Sequence, residues 1–224
     1  MLIGIESNIL RYHLRNVYFI NGTAYAGKST MVAMLAKNYN MVHCGENYHA
    51  ERMDQFITPA QQPSHGYFQT MKDWQAFVNR TPEEYAAWID GGCQEAAQME
   101  IAELLRIPDS RKVIVDTNIP LDMLHEISDY HRVAIMLSPQ AMSVEKFFDR
   151  DDADKQFILE QIKQAEDPEK TMANYRACIA RINSKERYDA FANSGFFTLV
   201  RQNAQKDTRT ETMQALAAHF GLEP

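Results

Sequence analysis

The chain has 224 residues, with 23 Lys and Arg against 30 Asp and Glu, a formal net charge of −7. That acidic balance argues against nonspecific binding to nucleic acid, which needs a positive field, and leaves room for a small anion held by local basic groups. The apolar share of 45% and charged share of 24% fit a single globular domain that buries a core, as monomer or homodimer.

Other exclusions come from particular residues. Cys44, Cys93 and Cys178 form neither a disulfide framework nor a CxxC pair, which points to a reducing cytoplasm. No apolar run is long enough to cross a membrane. The first sixteen residues are too polar and too early charged for a signal peptide.

In chain order, the first element is an apolar strand over Val17–Asn21. It runs into Gly22-Thr23-Ala24-Tyr25-Ala26-Gly27-Lys28-Ser29, followed by Thr30 and an amphipathic helix over Ser29–Lys37. The string satisfies G-x-x-x-x-G-K-[ST] at every fixed position, between the strand and helix that motif requires. Glycines let the backbone curl so that successive N–H groups face phosphate oxygens, and the helix N-terminus adds partial positive charge. Lys28 would bridge β- and γ-phosphates and the Ser29 hydroxyl would ligate Mg²⁺.

A second strand is expected over Asn40–Cys44, ending in His43-Cys44-Gly45-Glu46-Asn47-Tyr48-His49. Glu46 there can serve as a general base, or simply belong to a turn. His49 and Arg52 can bind an acceptor. From about residue 46 to 110 the chain turns polar, aromatic and helical. Thr81-Pro82-Glu83-Glu84 marks a helix start with a capping box and proline at the first position. Ala97, Ile101, Leu104 and Leu105 recur at helical spacing, and most aromatics of this stretch read as its own packing.

After residue 112 strands and helices alternate again. Lys112–Asp116 is an apolar strand ending in Asp116, which can hold Mg²⁺, orient an acceptor hydroxyl, or cap the following turn. Arg132–Leu137 is the fourth strand. Beyond Ser138-Pro139, Arg150 can close over a phosphate or belong to a salt-bridged helix end; Arg176 and Arg181 compete for that role. Helices are expected over Asp154–Lys163 and Pro168–Arg181, a fifth strand over Gly195–Arg201, and a last helix from a second capping box at Thr208-x-x-Glu211. Near-continuous apolar strands separated by helices imply an α/β fold, a parallel sheet covered on both faces.

On these residues the chain resembles the P-loop nucleoside and nucleotide kinases of the adenylate- and shikimate-kinase type. The resemblance rests on the GTAYAGKST loop, Glu46 after the second strand, VIVDT ending in Asp116, IMLSP closing the fourth strand, Arg150, and the Arg187–Ala192 string before the last strand. It implies a three-layer α/β/α fold with a five-stranded parallel sheet of order 2-3-1-4-5. Residues 46–110 would be a helical acceptor-binding insert and 138–167 a lid, within one domain over 1–224. It further implies ATP and Mg²⁺ as cofactors, with Gly22 to Thr30 on the nucleotide, Ser29 and Asp116 on the metal, and transfer of the γ-phosphoryl to a small-molecule acceptor.

Several relatives of that motif are not supported. A GTPase would carry Asn-Lys-x-Asp after a late strand, and a transporter ATPase Leu-Ser-Gly-Gly-Gln; neither string is present. Two readings remain: a small-molecule kinase, and an ATP-binding switch with little transfer activity.

Overall fold

The computed structural model describes residues 4–139, 142, 144, 147–149, 153–201 and 207–223. Arg150 lies outside the described residues, as do several other positions of the 138–167 stretch. Five strands, β1 (Val17–Gly22), β2 (Val42–Cys44), β3 (Val113–Asp116), β4 (Val133–Leu137) and β5 (Phe197–Val200), form one sheet in the order β2-β3-β1-β4-β5. Every pairing is parallel.

The strands are apolar along their length because both faces are covered. On one face Phe19, Val115 and Ile135 meet α1 (Ser7–His13), α6 (Leu121–Ile127) and the C-terminal half of α5 (Pro82–Leu104). On the other, Ile20, Ile114 and Ala134 meet α2 (Lys28–Asn38) and the last helix, α10 (Arg209–His219). Leu35 and Leu216, one from each of those two helices, are fully buried there. The fold is therefore three-layered α/β/α.

Helix α5 belongs to two cores. Its start is set by Thr81, whose hydroxyl accepts from the Glu84 N–H while the Glu84 carboxylate accepts from the Thr81 N–H. Its first half, through Tyr85 and Trp88, packs with α3 (Tyr67–Thr70), α4 (Trp74–Val78), α7 (Ala153–Lys163) and α8 (Pro168–Ile182) in a second, aromatic-rich core. Its second half, through Ala97, Ile101 and Leu104, packs on the sheet. The helix thus ties the helical region to the strands without a linker.

Some expected boundaries shift for identifiable reasons. Asn40 takes a left-handed φ of 50°, so β2 starts only at Val42. Gly195 takes φ 81°, and β5 starts at Phe197. The expected capping box at Thr208 is not made: Thr208 has no side-chain cap bond. Asp207 instead accepts from the Arg209 N–H at 3.0 Å and from its guanidinium. Outside the helical 46–110 stretch, α1, α6 and α9 (Lys185–Ala192) are additions to the expected helices, the last capped by Ser184.

Gly22 is where steric demand is greatest. Its φ is 130°, and a Cβ there would lie 1.9 Å from the Met136 carbonyl oxygen. Gly22→Ala is expected to separate β1 from β4 and cost more than about 4 kcal/mol in urea unfolding. Gly45→Ala, whose Cβ would meet only the His43 ring at 3.8 Å, is the matched control. It is expected to cost less than about 1 kcal/mol; equal losses in the two variants would contradict the close approach.

Candidate functional site

The parallel register brings the carboxyl ends of β1, β2 and β3 to one crest, with Ile20 beside Asp116 and Cys44 beside Val115. The chain leaves β1 at Gly22 and curls back into α2. Tyr25 at φ 64° and Gly27 at φ 91° supply the left-handed turns. The curl is pinned from both sides. Buried Asn21 donates to Ile119 O at 2.7 Å and accepts from the Gly22 N–H at 2.6 Å. The Thr23 hydroxyl accepts from the Ser138 N–H at 2.8 Å, and the Ser138 hydroxyl donates to Ala24 O at 2.6 Å.

The first intrahelical bond of α2 runs from the Met31 N–H to Gly27 O at 3.1 Å. The amides before it have no acceptor within the helix and point out of its N-terminus. Such a curl is suited to an anion, because it presents backbone donors and a partial positive charge together.

Asp116 is the centre of the crest. It is only 1% exposed, at the end of β3. Its Oδ2 accepts from the Ser29 hydroxyl at 2.7 Å, and its Oδ1 lies 3.9 Å from the Lys28 ammonium. Burial pushes the Asp116 carboxyl up from its ordinary range, while Lys28 and the Ser29 hydrogen bond pull it back. Oδ1 makes no hydrogen bond within the protein. The neighbouring crest joins through Asn118, which donates to Glu46 Oε1 at 3.3 Å. So the structure brings together Gly22 to Thr30, Asp116 and Glu46, which are far apart in sequence.

Other expected site residues sit elsewhere. His49 turns inward, 5% exposed, and burial lowers its pKa, with His65 contributing. Arg52 is exposed on the Tyr48–Gln55 3-10 helix. Arg176 and Arg181 are exposed on α8, and Arg181 lies 4.0 Å from Glu186. Among the described residues, none of these four lines either cleft beside the loop.

Those two clefts flank the loop. A large one of about 820 Å³ runs along Ala26, Gly27 and Thr30 toward Leu199, Arg201 and α10. Arg201 donates to Tyr25 O at 2.8 Å there. A smaller one of about 230 Å³ lies against Gly22–Tyr25, between Asn118, Lys155 and Arg187. Among the described residues no group of three or more His, Cys, Asp or Glu side chains that could hold a metal ion is present. An Asp–Ser pair alone can still contribute to a Mg²⁺ site, because that ion keeps several waters.

Sequence reasoning overlooked Glu100, which is 3% exposed with Oε1 unpaired. Its carboxyl is hydrogen-bonded to Thr117, next to Asp116. The available signal was positional: Glu100 falls on the same α5 face as Ala97, Ile101 and Leu104, a charge within an apolar stripe. No motif marks Lys155 as a cleft residue, and Arg187 enters the sequence reading only through the Arg187–Ala192 string.

Comparison with protein-family models, with curated proteins and with solved structures finds no match.

Burial raises the Glu100 carboxyl to about 8, with the Asp116 charge adding to the shift. The folded state therefore keeps a proton that the unfolded chain has released, and stability falls as pH rises toward that value. Urea unfolding of wild type and Glu100→Gln between about pH 5 and pH 8 is the check: wild type is expected to lose stability relative to the variant across that window. Parallel pH curves would show that Glu100 ionises normally.

Proposed function

We propose that the chain is a phosphotransferase of the P-loop kinase type, moving the γ-phosphoryl of Mg-ATP to a small-molecule acceptor. The observation that carries the reading is the Asp116–Ser29–Lys28 constellation, at the mouth of a G-x-x-x-x-G-K-S loop between β1 and α2. The loop amides and Lys28 take the phosphates, and the larger cleft beside Gly27 and Thr30 takes the rest of the nucleotide.

The donor set fits Mg²⁺. A carboxylate and a hydroxyl are hard oxygen ligands, and Asp116 Oδ1, buried without a hydrogen-bond partner, has capacity left. When bound, the ion would neutralise charge on the phosphate oxygens. The chain's own groups do the rest. Lys28 holds the β/γ oxygens as charge develops, and the loop amides fix the line of transfer.

The acceptor hydroxyl oxygen bonds to the γ-phosphorus as the bond to the β–γ bridging oxygen breaks, and ADP departs. The hydroxyl proton goes to a carboxylate. Glu46 is the better placed of the two, because Asp116 is engaged by Ser29 and Lys28, whereas Glu46 is exposed and oriented by Asn118.

The test follows ADP formation from Mg-ATP across a panel of hydroxylated acceptors. Stimulation by an acceptor supports transfer; tight ATP binding with no stimulation across a broad panel favours the switch. Lys28→Ala is expected to lower acceptor-dependent turnover by about two to three orders of magnitude. The variant should still fold, since Asp116 takes up a proton when its counter-ion is gone. Unchanged turnover in that variant would remove the loop from the chemistry.

A further inference from the structure

The loop between β1 and α2 is aimed from outside as well as built from within. Two consecutive carbonyls of its curl are taken by side chains that lie just beyond neighbouring strands. The Ser138 hydroxyl, past the end of β4, donates to Ala24 O at 2.6 Å. Arg201, past the end of β5, donates from Nη1 to Tyr25 O at 2.8 Å. These strands are paired with Leu137 beside Val200, and the Arg201 N–H itself donates to Leu137 O at 2.7 Å. The sheet therefore fixes the root of the guanidinium, and both donors reach the loop from the β4–β5 side.

Each of these bonds sets the direction of an amide. In a planar trans peptide the C=O and the following N–H point in opposite directions. Holding Ala24 O turns the Tyr25 N–H away from the β4–β5 side, and holding Tyr25 O does the same for the Ala26 N–H. Backbone donors that converge in this way are what an anion nest requires.

The second carbonyl is the harder one to hold. Tyr25 sits at φ 64°, in the left-handed region, where a residue with a bulky side chain is strained. Such a conformation persists only where the surroundings impose it. Arg201 bears directly on the strained residue, from 176 positions away in sequence.

We infer that Arg201 is a positioning residue for the loop: by holding Tyr25 O it keeps the loop amides set for a diphosphate before any ligand arrives. The inference rests on the reading of this loop as the phosphate site of a nucleotide. It brings β5, which carries no motif residue, into the binding apparatus through one side chain. A loop held in this way need not be ordered by its ligand, so the contribution of Arg201 appears as affinity.

Competition binding on the full chain tests this, with Mg-ADP as ligand and pyrophosphate as a probe that has the phosphates and no nucleoside. Wild type is expected to bind Mg-ADP and to release it to pyrophosphate. Arg201→Gln is expected to weaken both by a similar factor, about tenfold. Arg201→Lys, which keeps the charge without the planar fork, should fall in between. The Gln substitution is then repeated beside Tyr25→Asn, since asparagine tolerates the left-handed region, with Tyr25→Gly as a second such background. There the loop no longer depends on the guanidinium, and Arg201→Gln is expected to cost less than about threefold. Arg201 is exposed and its N–H bond to Leu137 O survives substitution, so the variants should fold, which thermal midpoints check.

An equal loss with Tyr25 native and replaced would overturn the inference, because neither direct contact with the ligand nor a through-space charge effect depends on the Tyr25 conformation. So would a loss confined to Mg-ADP, which would assign Arg201 to the wall of the larger cleft. Unchanged affinity for both ligands overturns it as well. Mg-ADP that pyrophosphate cannot displace does the same, since a loop set in advance takes the phosphates alone. Failure of wild type to bind Mg-ADP would instead overturn the reading on which the inference rests.

Discussion

A carboxylate that is 1% exposed at the end of a central β-strand has to be answered by its neighbours, because an isolated buried charge is too costly to keep. Asp116 is answered by the Ser29 hydroxyl at 2.7 Å and the Lys28 ammonium at 3.9 Å. Both belong to the first turn of α2, so this electrostatic demand fixes where α2 begins relative to β3. The curl from Gly22 to Gly27 then has little freedom, being closed at the other end by Asn21, Thr23 and Ser138. The site's geometry is thus a consequence of how one buried charge is satisfied. The same arrangement raises the carboxyl's pKa, since desolvation outweighs what Lys28 and Ser29 return.

Around this node charge is distributed unevenly. Glu100 is driven toward its neutral form behind Thr117, which avoids a second full negative charge near Asp116. Helix α5 delivers Glu100 from one end and anchors Arg187 through Asp90 from farther up. One long helix, started by a single capping box, therefore conditions both the back of the crest and the wall of the smaller cleft.

Much of the scaffold was legible beforehand because it rests on local or periodic signals. The apolar runs that became β1, β3 and β4, the Thr81 capping box and the helical face at Ala97, Ile101 and Leu104 are patterns visible within a few turns of chain. Local signals failed where a competing local contact won. At Thr208 the expected capping box yields to Asp207, which is already bound to Arg209. At Asn40 a left-handed residue shortens the strand. His49 carried no sign of which way it would face; it is buried where its neighbour Tyr48 donates to Glu100 O of α5.

The sequence by itself determined an α/β chain with a glycine-lysine-serine loop between a strand and a helix, and an aspartate closing a later apolar strand. These follow from residue type and spacing, which act over a few residues. Only the tertiary structure decided that Asp116 meets Ser29 from 87 positions away, and that Glu46 meets Asn118 from 72. It alone also set Glu100 behind the crest and Lys155 and Arg187 beside the loop. The physical reason is that sheet order and register, which choose those neighbours, are set by the burial of whole faces rather than by any short string.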